Sequence, residues 1–281
     1  MLNTLDSTAI QMQLSQGHLS VLSTCPRKFQ HLYLDQLGLH QDPQLQERLD
    51  LGAQFHQLMQ QQELGLSVES VSLANLSLQR WLAAFSAQPP AMISGDRQSE
   101  QRRILQFEGY LLIAVYDLLI EGAEQAQILD WKTYARPPAN LQTAWQTRLY
   151  LFMLAETSDY PPEQLSITYW FAEANNRAKC SLTFAYTQTQ HEQTRQELSQ
   201  RLRQLTSWLT GYQAGQSLPQ VPISANECSK CSFDLRCDRA ASPVENRAGL
   251  VSEAQLSPET FIGSLELAIA TDINQIPEIP L

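Results

Sequence analysis

The stretch ILDWKT, residues 128–133, sits inside AQILDWKTY (126–134), where apolar and polar residues alternate as they do along a β-strand. Side chains on a strand alternate between faces, so Asp130 and Lys132 share one face and Trp131 points to the other. The preceding run RILQFEGYLLIAVYDLLI (103–120) alternates in the same way, and EGAEQ between the two is a turn candidate. Two strands joined so closely pair antiparallel, which brings Asp117 beside Asp130. Paired carboxylates of this kind bind a hard cation such as Mg²⁺ or Mn²⁺ through oxygen. A lysine two residues along can orient an attacking water or offset charge developing on a phosphate. Asp117, Asp130 and Lys132 therefore form a set suited to metal-assisted hydrolysis of a phosphodiester.

The elements around this set alternate in type. Leu22, Phe29, Leu32 and Tyr33 recur at helical spacing, with Ser20 as the expected N-cap. Pro26 suits the first position of a new helix, so Cys25 is expected at a break between two helices. Residues 47–62, 76–86 and 140–157 also read as helices, and GAQFH (52–56) sets Gly52 and His56 on one helical face. LSITYWFA (165–172) and KCSLTFAY (179–186) read as strands of a hairpin around EANNR, and Cys180 falls in line with Leu182, Phe184 and Tyr186 as a core thiol. A long amphipathic helix is expected from about 189 to 213. Beyond Arg239 the chain turns small and acidic. A folded unit over 1–241 and a largely flexible tail over 242–281, with one short helix after Ser257, are expected.

Composition narrows the class. The chain has 281 residues, 43% of them hydrophobic and 17% charged, in the range of a globular protein with a full core. Neither a signal peptide nor an apolar run of membrane-spanning length is visible, so a cytoplasmic protein without a membrane partner is expected. The net charge of −10 lacks the basic footprint usual for nucleic-acid binders, but the last forty residues carry half of it. No GxxxxGK[ST] loop is present, so any helicase would be a separate partner. Three of the five cysteines fall in NECSKCSFDLRCDR (226–239), with Cys228 and Cys231 at metal-ligand spacing and Cys237 following. The spacing alone fits zinc or an iron–sulfur cluster.

Taken together and in order, LSVLSTCPRKFQHLYLDQLG (19–38), GAQFH, YD (116–117), ILDWKT, QTRLY (146–150) and the cysteine run resemble RecB-type nucleases of the PD-(D/E)XK superfamily. The likeness is to the iron–sulfur subgroup, which includes the AddB C-terminal nuclease and the CRISPR-associated exonucleases. It implies an α/β, restriction-endonuclease-like core with a central mixed sheet flanked by helices. His56, Asp117, Asp130 and the Trp131 carbonyl would be metal ligands, and Lys132 the catalytic lysine. Gln146 and Tyr150 would contact DNA or support the site, and Glu100 would match an upstream acidic position. Cys25 would join Cys228, Cys231 and Cys237 around a [4Fe–4S] cluster, clasping the N-terminal helices to the C-terminal segment. The implied activity is a Mg²⁺- or Mn²⁺-dependent exonuclease on single-stranded DNA ends or flaps, in DNA repair, recombination or foreign-DNA processing. Arg27, Lys28, Arg102, Arg103, Arg201 and Arg203 are candidate phosphate contacts. The other reading is a non-catalytic iron–sulfur or zinc module that binds DNA or a helicase.

Overall fold

The structure, a computed structural model, describes residues 12–38, 43–68, 75–135, 137–174 and 180–239. The expected tail over 242–281, with its helix after Ser257, lies outside the described residues. Strands β1 (Gln13–Leu14), β2 (Asp96–Phe107), β3 (Tyr110–Glu121), β4 (Ala126–Lys132), β5 (Leu165–Phe171) and β6 (Ser181–Ala185) form one mixed sheet. The order β1-β3-β4-β5-β6 holds, with β2 paired along the whole length of β3. β1 and β4 therefore share the other edge of β3, β1 against Leu111 and Leu112 and β4 against Leu118 to Glu121. β4 and β5 are parallel, which requires a crossover, and helix α5 (Trp145–Glu156) lies within it.

Two helical layers cover the sheet. On one face α1 (Gln16–Thr24), α5 and α6 (Gln188–Gln213) bury Leu19, Leu22, Leu149, Phe152, Leu198 and Leu202 against Leu112, Tyr116, Ile128 and Ile167. On the other, α3 (Pro43–Glu63) and α4 (Leu76–Ala87) bury Phe55, Met59, Trp81 and Phe85 against Leu118, Leu129, Trp131 and Trp170. Every residue of β4 is buried, because this central strand is covered on both sides. A two-pronged ion pair fixes α3 over the sheet: Arg97 of β2 donates through Nε and Nη2 to the Glu63 carboxylate at 2.8 and 2.7 Å.

Several details depart from expectation. The run 103–120 is not one strand. Glu108 and Gly109, with φ of 50° and 82°, make a two-residue turn that folds β2 back onto β3. The N-cap of α1 is Ser15, not Ser20. Its hydroxyl accepts from the Gly17 amide, while His18 Nδ1 accepts from the Ser15 amide at 3.2 Å. Histidine thus fills the role Glu or Gln usually plays in a capping box. Burial pulls His18 down to about 4, so the ring is neutral and can accept. Cys25 lies at the end of α1 in extended conformation, and Pro26 opens α2 (Pro26–Phe29), which runs into a wide turn over Gln30–Leu34. Cys180 packs partly buried at the α3/α4 face, whereas Leu182, Phe184 and Tyr186 belong to the opposite layer. The expected alternation does not extend to it.

Trp170 is the keystone of the α3/α4 layer. It is 1% exposed, its ring lies against Phe55 and Phe85 at centroid distances of 6.1 and 5.2 Å, and its Nε1 donates to the Gln88 carbonyl. Trp170→Ala should cost about 3–5 kcal/mol of unfolding free energy in a urea titration. Trp170→Phe should lose less, because it forfeits the hydrogen bond but keeps most of the packing.

Candidate functional site

The β3–β4 ladder ends at Leu118–Leu129. The next pair in register would be Asp117 and Asp130, and here the strands part. In place of a ladder bond, Asp117 Oδ2 accepts from the Trp131 amide at 2.6 Å. On the other edge of β3 the ladder to β2 also skips one step, leaving Glu100 opposite Asp117 without a paired partner. Glu100 has φ of 51°, a left-handed conformation costly for a glutamate within a strand. Alternation of faces breaks at this step in both strands. Tyr116 packs in the α1/α5/α6 layer but Leu118 in the α3/α4 layer. Arg97 reaches α3, whereas Arg103, an even number of residues along, donates to the Thr157 carbonyl just past α5. The kink brings Glu100 and Asp117 to His56, which α3 delivers from above. Ligand atoms of His56, Glu100 and Asp117 all lie within 4.8 Å of one another, a donor set of the size a hard divalent cation takes.

The carboxylates are held by charge. His56 Nδ1 stands 3.2 Å from Asp117 Oδ1. Burial would lower the imidazole, but the charge and hydrogen bond of Asp117 win, and His56 is pushed up to about 9. Burial likewise opposes ionisation of Asp117, and His56, Lys132 and the Trp131 amide together hold it below the usual carboxylate range. Asp130 is 2% exposed. Its Oδ1 pairs with Lys132 Nζ at 2.8 Å and its Oδ2 accepts from Gln146 Nε2 at 2.6 Å. Burial and the Asp117 charge push Asp130 up to about 6 despite Lys132. Glu100, open to solvent on one side, is pushed up to about 7 by partial burial and by Asp117.

Each residue singled out in the sequence has a definite place. His56, Asp117, Asp130 and Lys132 meet at the fork. Asp130 lies outside the 4.8 Å donor set, its Oδ1 paired with Lys132 and its Oδ2 accepting from Gln146. Trp131 turns its ring into the α3/α4 layer and its amide to Asp117. Gln146 and Tyr150 are buried, and Gln146 donates to Asp130. Tyr150 in turn packs edge-on against Tyr116, whose hydroxyl donates to the Tyr150 carbonyl. Glu100, the upstream acidic position, joins His56 and Asp117 in the donor set. Counting back from the Glu108–Gly109 turn would have put it opposite Asp117. Among the expected phosphate contacts, Arg27 donates to the Leu218 carbonyl, Arg103 pairs with Glu121 and Arg203 with Glu108. These three have partners within the protein.

The cysteines stand apart from this fork. Cys25, Cys228, Cys231 and Cys237 are free thiols lining one small cavity between α2 and the C-terminal segment. Among the described residues no three of these sulfurs lie within 4.8 Å of one another, so the expected four-cysteine clasp is not shown. Hydrogen bonds join the two segments here. The Arg27 amide donates to the Pro219 carbonyl at 3.0 Å, and the Leu218 amide to Gln30 Oε1 at 2.8 Å.

Replacing Asp117 by Asn removes the strongest influences that raise His56. Its titration, followed by imidazole NMR, should fall well below about 9, because burial and Lys132 then oppose only the charge of Asp130. A histidine raised in the folded state contributes stability that is full below about 6.5 and lost as pH rises through about 9. That window should narrow in the pH–stability profile of Asp117→Asn.

No curated protein matches the chain. Among solved structures, a candidate exonuclease from Eubacterium rectale is similar at a TM-score of 0.52 and 11% identity, covering 90% of this chain and all of that one. The structure of SSO0001 follows at a TM-score of 0.39 and 13% identity, over 84% of this chain and 90% of that one, too distant to carry an argument. Among the described residues no helix is long and apolar enough to cross a membrane. The model of the PD-(D/E)XK nuclease superfamily matches residues 13–238, most of the chain, and the protein belongs to that superfamily.

Proposed function

We propose that the protein is a Mg²⁺- or Mn²⁺-dependent deoxyribonuclease of the RecB type, acting as an exonuclease on single-stranded DNA ends or flaps. The observation that carries this reading is the fork itself. Three acidic side chains, a histidine and a lysine converge where the sheet opens, and Lys132 and His56 offset their charge. His56, Glu100 and Asp117 fit a divalent cation by donor type and spacing. Such an ion, when bound, supplies Lewis-acid stabilisation of phosphate charge and a more acidic water. The protein's own groups do the rest. Asp130 fixes the Lys132 ammonium at 2.8 Å, and Gln146 fixes Asp130, so the lysine is presented in one orientation to hydrogen-bond an attacking water or a phosphate oxygen. The restriction to DNA ends rests on the family resemblance; the Eubacterium rectale structure is itself described as a candidate exonuclease.

The reading extends to the cysteines. We infer a [4Fe–4S] cluster held by Cys25, Cys228, Cys231 and Cys237, the pattern of the iron–sulfur subgroup. All four border one cavity, and burial together with the neighbouring sulfurs of Cys231, Cys25 and Cys228 pushes the Cys237 thiol up, against the pull of Arg27. Thiolates that each hold a different iron stand farther apart than those around one zinc, which suits sulfurs outside zinc spacing.

End-labelled single-stranded and duplex DNA, with Mg²⁺ or Mn²⁺, test the activity. Asp130→Ala should abolish cleavage with the fold intact, and Lys132→Ala should slow turnover by about 10²-fold or more while sparing metal binding. Cleavage by either variant at the parental rate would remove the assignment. DNA binding without cleavage by the wild type would favour the non-catalytic module.

Protein purified without oxygen should be brown, with about four irons per chain. Cys25→Ala should lose the colour as fully as Cys231→Ala, and Cys180→Ala should keep it. One zinc and no colour would put a Cys₄ zinc site in the cluster's place.

A further inference from the structure

Lys132 lies over an aromatic ring as well as beside a carboxylate. Its Nζ stands 5.7 Å from the centroid of Tyr169, inside the range of about 6 Å over which a ring face attracts a cation. Tyr169 belongs to β5, opposite Asp130 in the β4–β5 register, and is completely buried. Lys132 is itself only 8% exposed, so little water competes for the ammonium. Attraction to a ring is largest where the cation is desolvated in this way.

The ring is also tethered. Thr147 Oγ1 donates its one proton to the Leu141 carbonyl at 2.6 Å. The Tyr169 hydroxyl, 2.7 Å from that oxygen, is therefore the donor of the pair. Burial and the Asp130 charge hold this phenol well above its ordinary range, so it keeps the proton the tether needs. Gln146 and Thr147 are neighbours in the first turn of α5. Gln146 fixes Asp130 and Thr147 fixes Tyr169, so one helical turn grips both groups that hold the ammonium.

We propose that Tyr169 is a second positioning residue for Lys132: its ring face holds the ammonium by cation–π attraction, and its hydroxyl fixes the ring through Thr147. The task of the lysine rests on the nuclease reading above, whereas the contact does not. Lysine ends in a point charge on a flexible stem, and one carboxylate oxygen leaves it free to swing about that oxygen. A ring face at a second point removes this freedom and keeps the ammonium in one orientation toward its substrate.

Two measurements test the proposal, the first without metal, DNA or turnover. The lysines of the chain are Lys28, Lys132, Lys179 and Lys230, so with isotope-labelled lysine the ε-methylene NMR signal of Lys132 is assigned by its loss in Lys132→Ala. The ring current of Tyr169 should displace that signal from the free-lysine position. Tyr169→Leu should return it, and Tyr169→Phe should not. The second measurement places phenylalanine with no, one, two or three ring fluorines at position 169, which keeps the shape of the ring and drains negative charge from its face. Turnover on end-labelled single-stranded DNA should fall stepwise, by about 10-fold across the series, with KM little changed. Tyr169→Phe alone loses only the tether and should cost about 3-fold. Turnover that stays level across the fluorinated series overturns the proposal, as does a Lys132 signal unmoved by Tyr169→Leu. If Tyr169→Leu does not fold, the fluorinated series decides alone. A wild type that leaves DNA uncut removes the nuclease reading itself, an outcome seen before any variant is made.

Discussion

The hydrogen bond from the Trp131 amide to the Asp117 carboxylate stands where the backbone ladder of β3 and β4 would otherwise have continued. A sheet cannot carry a solvent-facing cleft through its middle while every amide pairs with a carbonyl. One strand must leave the other, and the freed amide must still be satisfied. Asp117 does both, spending one oxygen on the amide and turning the second to His56. The two central strands can then part without leaving a buried donor orphaned. The kink at Glu100 is the counterpart on the outer strand, and its left-handed backbone is the local cost of aiming that carboxyl into the cleft.

Three carboxylates at so small a spacing repel one another, and the protein balances them internally. His56 and Lys132 supply two positive charges, and Glu100 and Asp130 are raised toward neutrality by burial and by Asp117. Asp130, locked between Lys132 and Gln146, and Asp117, shared between Trp131 and His56, occupy unlike environments on adjacent strands. Separate environments give neighbouring acids separate tasks, one orienting a lysine and the other facing the histidine.

The layers above and below the sheet serve this arrangement. Phe55 and Met59 anchor α3 in an aromatic layer with Trp131 and Trp170, so His56, next to Phe55, has little freedom to withdraw. On the opposite side α5 fills the space under Asp130 with Gln146, Tyr150 and Tyr116. The cysteine cavity lies at the join of α2 and the C-terminal segment, where Arg27, Gln30 and His31 already bind residues about two hundred positions away. Closing so long a loop carries a large entropic cost, and several dispersed contacts offset it there.

Local pattern was enough for the element types and for the central chemistry. Alternation through ILDWKT put Asp130 and Lys132 on one face, the short turn after Glu121 made β3 and β4 antiparallel, and Pro26 marked the helix break at Cys25. Those features depend on periodicity and on backbone geometry a few residues long, which a sequence displays directly. The hairpin at Glu108–Gly109 was legible too, but continuous alternation on both sides concealed it. What tertiary structure decided was the fork. Nothing in the residues near Asp117 signals that the ladder stops there, that Glu100 turns left-handed, or that Gln146 and Tyr150 lie buried. Nor does the sequence place His31 against Cys237, since that contact spans the chain and is created only when α2 docks on the C-terminal segment. Periodicity determines which face a side chain takes within its own element. Which atom it meets depends on how separate elements pack, and that is settled only by the whole core.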